Sequence, residues 1–249
     1  VIDTLRLLIA NVEGELAADL LVFDALGVSG AAVVTAATAR GLREEGPVHD
    51  VPVAQLRASL GAAVEARRPA AAKLGLVTAV PGARALARAV DPLGLPLVVD
   101  PGFAPASGLR LVRSTVLDVL VRELLPSAAL VTLNVPEASV LAGFAIRSEA
   151  DAKAAARRVQ ALGPSAVLVT GGCVEGPTVV DGLLDGRTWH RFEAARVEAP
   201  EACGAGGLLS AAVTAWLALG ETLPDAVSLA LEFVRRALAA GWPDAPLPR

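Results

Sequence analysis

Short runs rich in Val, Leu and Ile recur along the chain and alternate with Ala-rich segments in which apolar residues return every three or four positions. The first pattern suits strands buried on both faces of a sheet, and the second suits helices that lay one apolar stripe against it. The apolar runs predict strands at Leu5 to Ala10, Ala31 to Ala36, Ala71 to Leu74, Pro96 to Asp100, Leu130 to Leu133, Ala166 to Thr170 and Gly176 to Leu184. The amphipathic segments predict helices at Leu16 to Leu26, Val53 to Ala66, Pro81 to Ala89, Val116 to Leu125, Pro136 to Leu141, Glu149 to Ala161, Gly206 to Ala218 and Leu223 to Ala240. Strands and helices taking turns form βαβ units, so the predicted fold is α/β with a central, mostly parallel sheet. No Ser/Gly-rich linker, internal repeat or low-complexity tract divides the 249 residues, which predicts one domain over 1–249.

Composition narrows the core. The chain is 54% hydrophobic with only 3% aromatic residues and no Met or Tyr, so Ala, Val and Leu must fill the interior. A net charge of -4 with scattered arginines gives no electrostatic footprint for nucleic acid. No apolar run reaches membrane-spanning length, so no membrane partner is expected either. The opening residues carry Asp3 and Glu13 against a single early Arg6, unlike the basic start of a secretory leader. Cys173 and Cys203 do not form a C-x-x-C pair, and the expectation is reduced thiols in a cytoplasmic protein. The two histidines lie apart, His49 in an expected loop and His190 in an exposed-looking polar segment, and neither has the company a metal site needs.

In open parallel sheets ligands bind beyond the carboxyl ends of the strands. Polar or glycine-rich clusters fall at such places: Asn11 to Gly14, Thr38 to Arg40, Asp100 to Gly102, Asn134 to Glu137, Gly171 to Cys173 and Gly204 to Gly207. Asn134 and Glu137, three residues apart at a helix start, admit two readings. They are either a capping box with Pro136 in the first turn or oxygen ligands for hydrated magnesium near a nucleotide. Gly204-Ala205-Gly206-Gly207 also admits two. The glycines either let backbone N–H groups converge on an anion at the positive end of the next helix, or they allow close helix–sheet packing.

Taken in order, the blocks ADLLVFDALGVSG, VVTAATARG, KLGLV, VVDPGFAPASG, LVTLNVPEA, AVLVTGG and GAGGLLSAA carry a resemblance over nearly the whole chain. The chain resembles the hydroxymethylpyrimidine and phosphomethylpyrimidine kinases of thiamine biosynthesis, a branch of the ribokinase-like superfamily. That resemblance implies a three-layer α/β/α sandwich, a homodimer, ATP and magnesium as cofactors, and a small-molecule ligand. It also implies that the last glycine-rich loop stabilises charge on the transferring phosphoryl group.

Carried onto this sequence, the family's anion hole falls on Gly204, Ala205, Gly206 and Gly207. The base, a Cys in that branch and an Asp in the sugar kinases, falls on Gly207, which has no side chain. Substrate-side positions fall on Asn11, Glu13, Arg40, Leu76 and Phe103, with Arg40 replacing the family's Gln. Nucleotide-side positions fall on Asp100, Asn134, Glu137, Thr170, Gly171 and Gly172, with Asn134 and Glu137 reaching magnesium through water; Asp181 is retained as well. Family lysines are replaced by Ala106 and Thr170, and the loop after the first strand is shorter. Two functions follow as expectations. One is a divergent kinase for a hydroxymethylpyrimidine-type alcohol, and the other is a catalytically inactive homologue that binds a ligand or a partner.

Overall fold

The computed structural model describes residues 6–11, 13–38, 48–66, 68–103, 112–171, 176–197 and 204–248. Its centre is an eight-stranded sheet made from β1 (Arg6–Asn11), β2 (Ser29–Val34), β5 (Ala71–Leu74), β6 (Leu97–Val99), β7 (Leu130–Asn134), β8 (Ala166–Thr170), β9 (Thr178–Asp185) and β10 (Thr188–Ala195). The strands run in the order β10-β9-β8-β7-β6-β5-β1-β2. From β2 to β8 all pairs are parallel, while β8 to β9 and β9 to β10 are antiparallel. Two short strands, β3 (Ala36–Thr38) and β4 (Val48–Asp50), pair antiparallel in a separate small sheet.

Among the described residues, eight α-helices cover the two faces. They are α1 (Glu13–Ala25), α2 (Val53–Ala66), α3 (Val80–Val90), α4 (Ser114–Val119), α5 (Val135–Ala142), α6 (Glu149–Gln160), α7 (Ala205–Ala218) and α8 (Leu223–Ala239). Side chains alternate across a strand, so each strand feeds two cores. Leu74, Val99, Val131, Leu133, Val167 and Val169 point to the face covered by α2 to α6. Ala71, Val98, Leu130, Ala166 and Leu168 point to the face covered by α1, α7 and α8. The result is the expected three-layer α/β/α arrangement.

The expected elements are present with shifted ends, and the differences have physical causes. The helix expected from Val116 to Leu125 is α4 continued by one wider turn over Leu120–Leu124 and a tight turn over Leu125–Ser127, where Pro126 removes a backbone donor. The strand β10 was not predicted. It lies at the sheet edge with alternating half-buried and exposed residues, and its polar outer side masks the strand signal. Its Trp189 ring lies where a side chain on Gly182 would be, so β9 needs a glycine there. His49, expected in a loop, sits in the exposed strand β4, and His190 is in β10.

Candidate functional site

Gly204 caps α7 in the left-handed conformation, φ 69°, a cheap conformation for glycine. Its carbonyl accepts from the Leu208 N–H at 3.1 Å. No side chain among the described residues caps this helix, and its first turn holds no acidic residue. The leading N–H groups of Ala205, Gly206 and Gly207 have no acceptor within the helix, which makes its start a place for a negative charge. Among the described residues, a side chain on Gly206 would meet nothing within 4 Å, and one on Gly207 would meet only the Lys73 Nζ, at 4.0 Å.

Beneath this turn lies a polar cluster in which the expected Asp100 is joined by Lys73, Asp19 and Ser210. Lys73 occupies the middle of β5, where all four residues are buried. Its ammonium is paired with Asp19 of α1 and donates to the Gly207 carbonyl at 3.2 Å. Burial alone pushes the Lys73 ammonium down, but the Asp19 and Asp100 carboxylates more than offset this and hold it above the usual lysine range. Asp100 follows β6, anchored by its N–H to the Leu74 carbonyl at 2.8 Å. Burial pushes the Asp100 carboxyl up, against the pull of the Lys73 ammonium and of the Ser210 hydroxyl.

The Ser210 hydroxyl lies 2.6 Å from Asp100 Oδ2, 3.0 Å from the Gly206 carbonyl and 3.1 Å from the Gly207 carbonyl. One hydroxyl proton faces three acceptors. Thr132 of β7 is on the same face, and its Oγ1 is buried with no hydrogen-bond partner among the described residues.

Asn134 and Glu137 form a complete capping box. The Asn134 side chain accepts from the Glu137 N–H at 2.8 Å, and Glu137 accepts from the Asn134 N–H at 3.1 Å. Glu137 is 2% exposed, so the capping reading of this pair is realised. Thr170 ends β8 and donates to the Leu133 carbonyl at 3.4 Å. The Gly171 N–H donates to Asp181 at 3.0 Å; burial raises the Asp181 carboxyl, with that N–H opposing it. Among the described residues no three His, Cys, Asp or Glu side chains group as metal ligands.

The other predicted positions scatter. Leu76 is buried against Ala36, and its carbonyl accepts from the Thr35 hydroxyl at 3.0 Å. Phe103 is buried. Asn11 ends β1 beside Val34, and Glu13 opens α1. The side chains of Asn11 and Glu13, together with Arg40, Gly172, Cys173, Cys203 and Ala106, lie outside the described residues. A groove of about 440 Å³ opens beyond β5, between Asp50, Thr78, Pro81 and Arg113.

Lys73, Asp19 and Ser210 left only faint marks in the sequence. A lysine inside AAKLGLV, where a buried strand is expected, and an aspartate inside the apolar LAADLLVF were the available signals.

The mostly parallel sheet between two helical layers is the fold of the ribokinase-like kinases. Among solved structures, a phosphomethylpyrimidine kinase from Clostridium difficile matches with TM-score 0.84 and 28% identity, over 94% of this chain and 99% of that one. An ADP complex of Bacillus subtilis pyridoxal kinase matches with TM-score 0.89 and 27% identity, over 99% of this chain and 97% of that one. The family model described as Phosphomethylpyrimidine kinase matches residues 15–244, and the chain belongs to that family. A hydroxymethylpyrimidine/phosphomethylpyrimidine kinase of Rhizobium meliloti is 38% identical over 90% of this chain and 84% of its own length.

Proposed function

We propose that the chain is an ATP-dependent kinase that phosphorylates a hydroxymethylpyrimidine-type alcohol in thiamine biosynthesis. On this reading it relies on positioning and charge rather than on a base side chain. The observation that carries it is the glycine turn at the start of α7, with Gly207 held over Lys73, Asp100 and Ser210. Membership of the phosphomethylpyrimidine kinase family supports the choice of alcohol. Phosphoryl transfer asks for little covalent help from the protein, so losing the base slows it without removing the route.

The backbone of Gly204, Ala205, Gly206 and Gly207 would receive the transferring phosphoryl group. Asp100, Asn134, Glu137, Thr170, Gly171 and Gly172 would face the nucleotide, and Asn11, Glu13, Arg40, Leu76 and Phe103 the pyrimidine. The oxygens of Asn134 and Glu137 are engaged in the capping box, so they fit magnesium only through its bound waters. When bound, that ion would neutralise phosphate charge. The chain would work as one domain, in the cytoplasm, as a homodimer.

A second reading, a silent homologue that binds a ligand or a partner, is favoured by the bare Gly207 and by Thr170 where the family has a lysine. Purified protein given Mg-ATP and hydroxymethylpyrimidine separates the two. Release of ADP above the ATPase background supports the kinase; no ADP with this or any related alcohol supports the silent homologue.

A further inference from the structure

A fully buried lysine is rare, because its ammonium loses water and must find other partners. Here three elements supply them: Asp19 from α1, Asp100 from the end of β6 and the Gly207 carbonyl from α7. Charge balance alone does not explain the arrangement, since an apolar pair of the same volume fills a core at least as well as a buried ion pair. What an apolar residue cannot do is hold a carbonyl. The carbonyl held is that of Gly207, in a turn whose glycines have the greatest backbone freedom of any residue. Ser210 touches the same carbonyl from the other side, at 3.1 Å, and the Lys73 Nζ lies 4.0 Å from the point where a Gly207 side chain would begin.

We propose that Lys73 is a positioning residue for phosphoryl transfer: from beneath α7 it fixes the Gly207 carbonyl and so aims the N–H groups of the glycine turn at the transferring group. This rests on the kinase reading above. Lys73 is completely buried, so it acts through Gly207 and not by touching the substrate. The pairing with Asp19 holds the ammonium in place, and Ser210, bridging Asp100 to the same turn, keeps the second carboxyl in register. With no side chain at 207, Lys73 holds the turn through the Gly207 carbonyl, and the Ser210–Asp100 hydrogen bond ties the same turn to the end of β6.

The test compares wild type with Lys73→Met/Asp19→Asn, which removes both charges of the pair together. Calorimetry gives the affinities for Mg-ADP and for Mg-AMP-PCP, an analogue that adds a third phosphate. The wild type should prefer AMP-PCP, and the double variant should lose that preference while its ADP affinity stays the same. Its kcat should fall by about 10²-fold, the scale expected when reacting groups are displaced by about an ångström, with KM for ATP little changed. If the folded double variant keeps both the preference and kcat, the assignment of Lys73 is overturned. If the wild type itself has no preference and releases no ADP, the kinase reading falls and takes this assignment with it. Should the double variant not fold, Asp19→Asn alone, which frees Lys73 from its anchor, must lower the preference and kcat in the same way or the assignment fails.

Discussion

The two faces of the central sheet come from the same strands yet carry different loads. Toward α2 to α6, β5 presents Ala72 and Leu74, β6 presents Leu97 and Val99, and β7 presents Val131 and Leu133, an apolar layer throughout. One residue along, toward α1, α7 and α8, the same strands present Lys73, Asp100 and Thr132, and the helices add Asp19, Ser210 and Thr214. The period of two that sorts residues between faces lets one face act as plain core and the other as the floor of a site. A buried polar group costs stability unless it is satisfied, so the second face is the one where chemistry has been placed at the expense of packing.

The comparison breaks most visibly at Lys73. Lys73→Met takes the ammonium away from the buried Asp19 and should cost about 3–5 kcal/mol in urea unfolding. On the other face, Leu124→Ala should cost a similar amount, about 2–5 kcal/mol, by opening a cavity. The two should part in activity, because ADP release per folded molecule should fall in Lys73→Met and stay unchanged in Leu124→Ala. Equal activity in both would erase the functional difference between the faces.

Ser210→Ala is the next step down. It leaves the buried Asp100 without its hydroxyl partner and should cost about 1–3 kcal/mol, measurable by the same unfolding curves. Asp100→Asn sharpens the electrostatics. The folded pKa of Asp100 is raised, so its ionisation weakens the fold as pH climbs from the unfolded carboxyl value, about 3.9, through the folded one, and contributes nothing at more acid pH. Asp100→Asn should therefore be more stable than wild type at neutral pH, and the gain should shrink as pH falls toward about 4. A gain that grew toward acid pH would contradict the assigned direction. The smallest effect belongs to Thr132→Val, which removes a buried hydroxyl with no partner among the described residues and should raise stability by about 1 kcal/mol.

Much of this was legible in the sequence where one signal served one purpose. Ala71–Leu74, Ala166–Thr170 and Val53–Ala66 fall where their apolar patterns place them, and of the two readings that the Asn134/Glu137 spacing allows, the capping box is formed. β10 escaped because an edge strand shows polar residues to water. β3 and β4 escaped because three residues are too few for a period to register. The glycine turn was legible as a helix start, read either as an anion site or as a close-packing turn, but its supports were not. Lys73, Asp19 and Ser210 lie far apart in the chain, and one charged residue inside an apolar strand does not say which carbonyl it holds.

The central claim is that the glycine turn at the start of α7 serves phosphoryl transfer without a side chain at 207, and Gly207→Cys tests it directly. The backbone there is ordinary helix, and among the described residues a side chain would meet only the Lys73 Nζ, at 4.0 Å, so cysteine fits. The ammonium beside it and the helix start should lower the thiol pKa toward neutrality. With Mg-ATP and hydroxymethylpyrimidine, kcat for ADP release should rise over wild type by about 10² to 10⁴, the usual contribution of a positioned base. A folded Gly207→Cys protein that binds Mg-AMP-PCP yet turns over no faster than wild type would contradict the account.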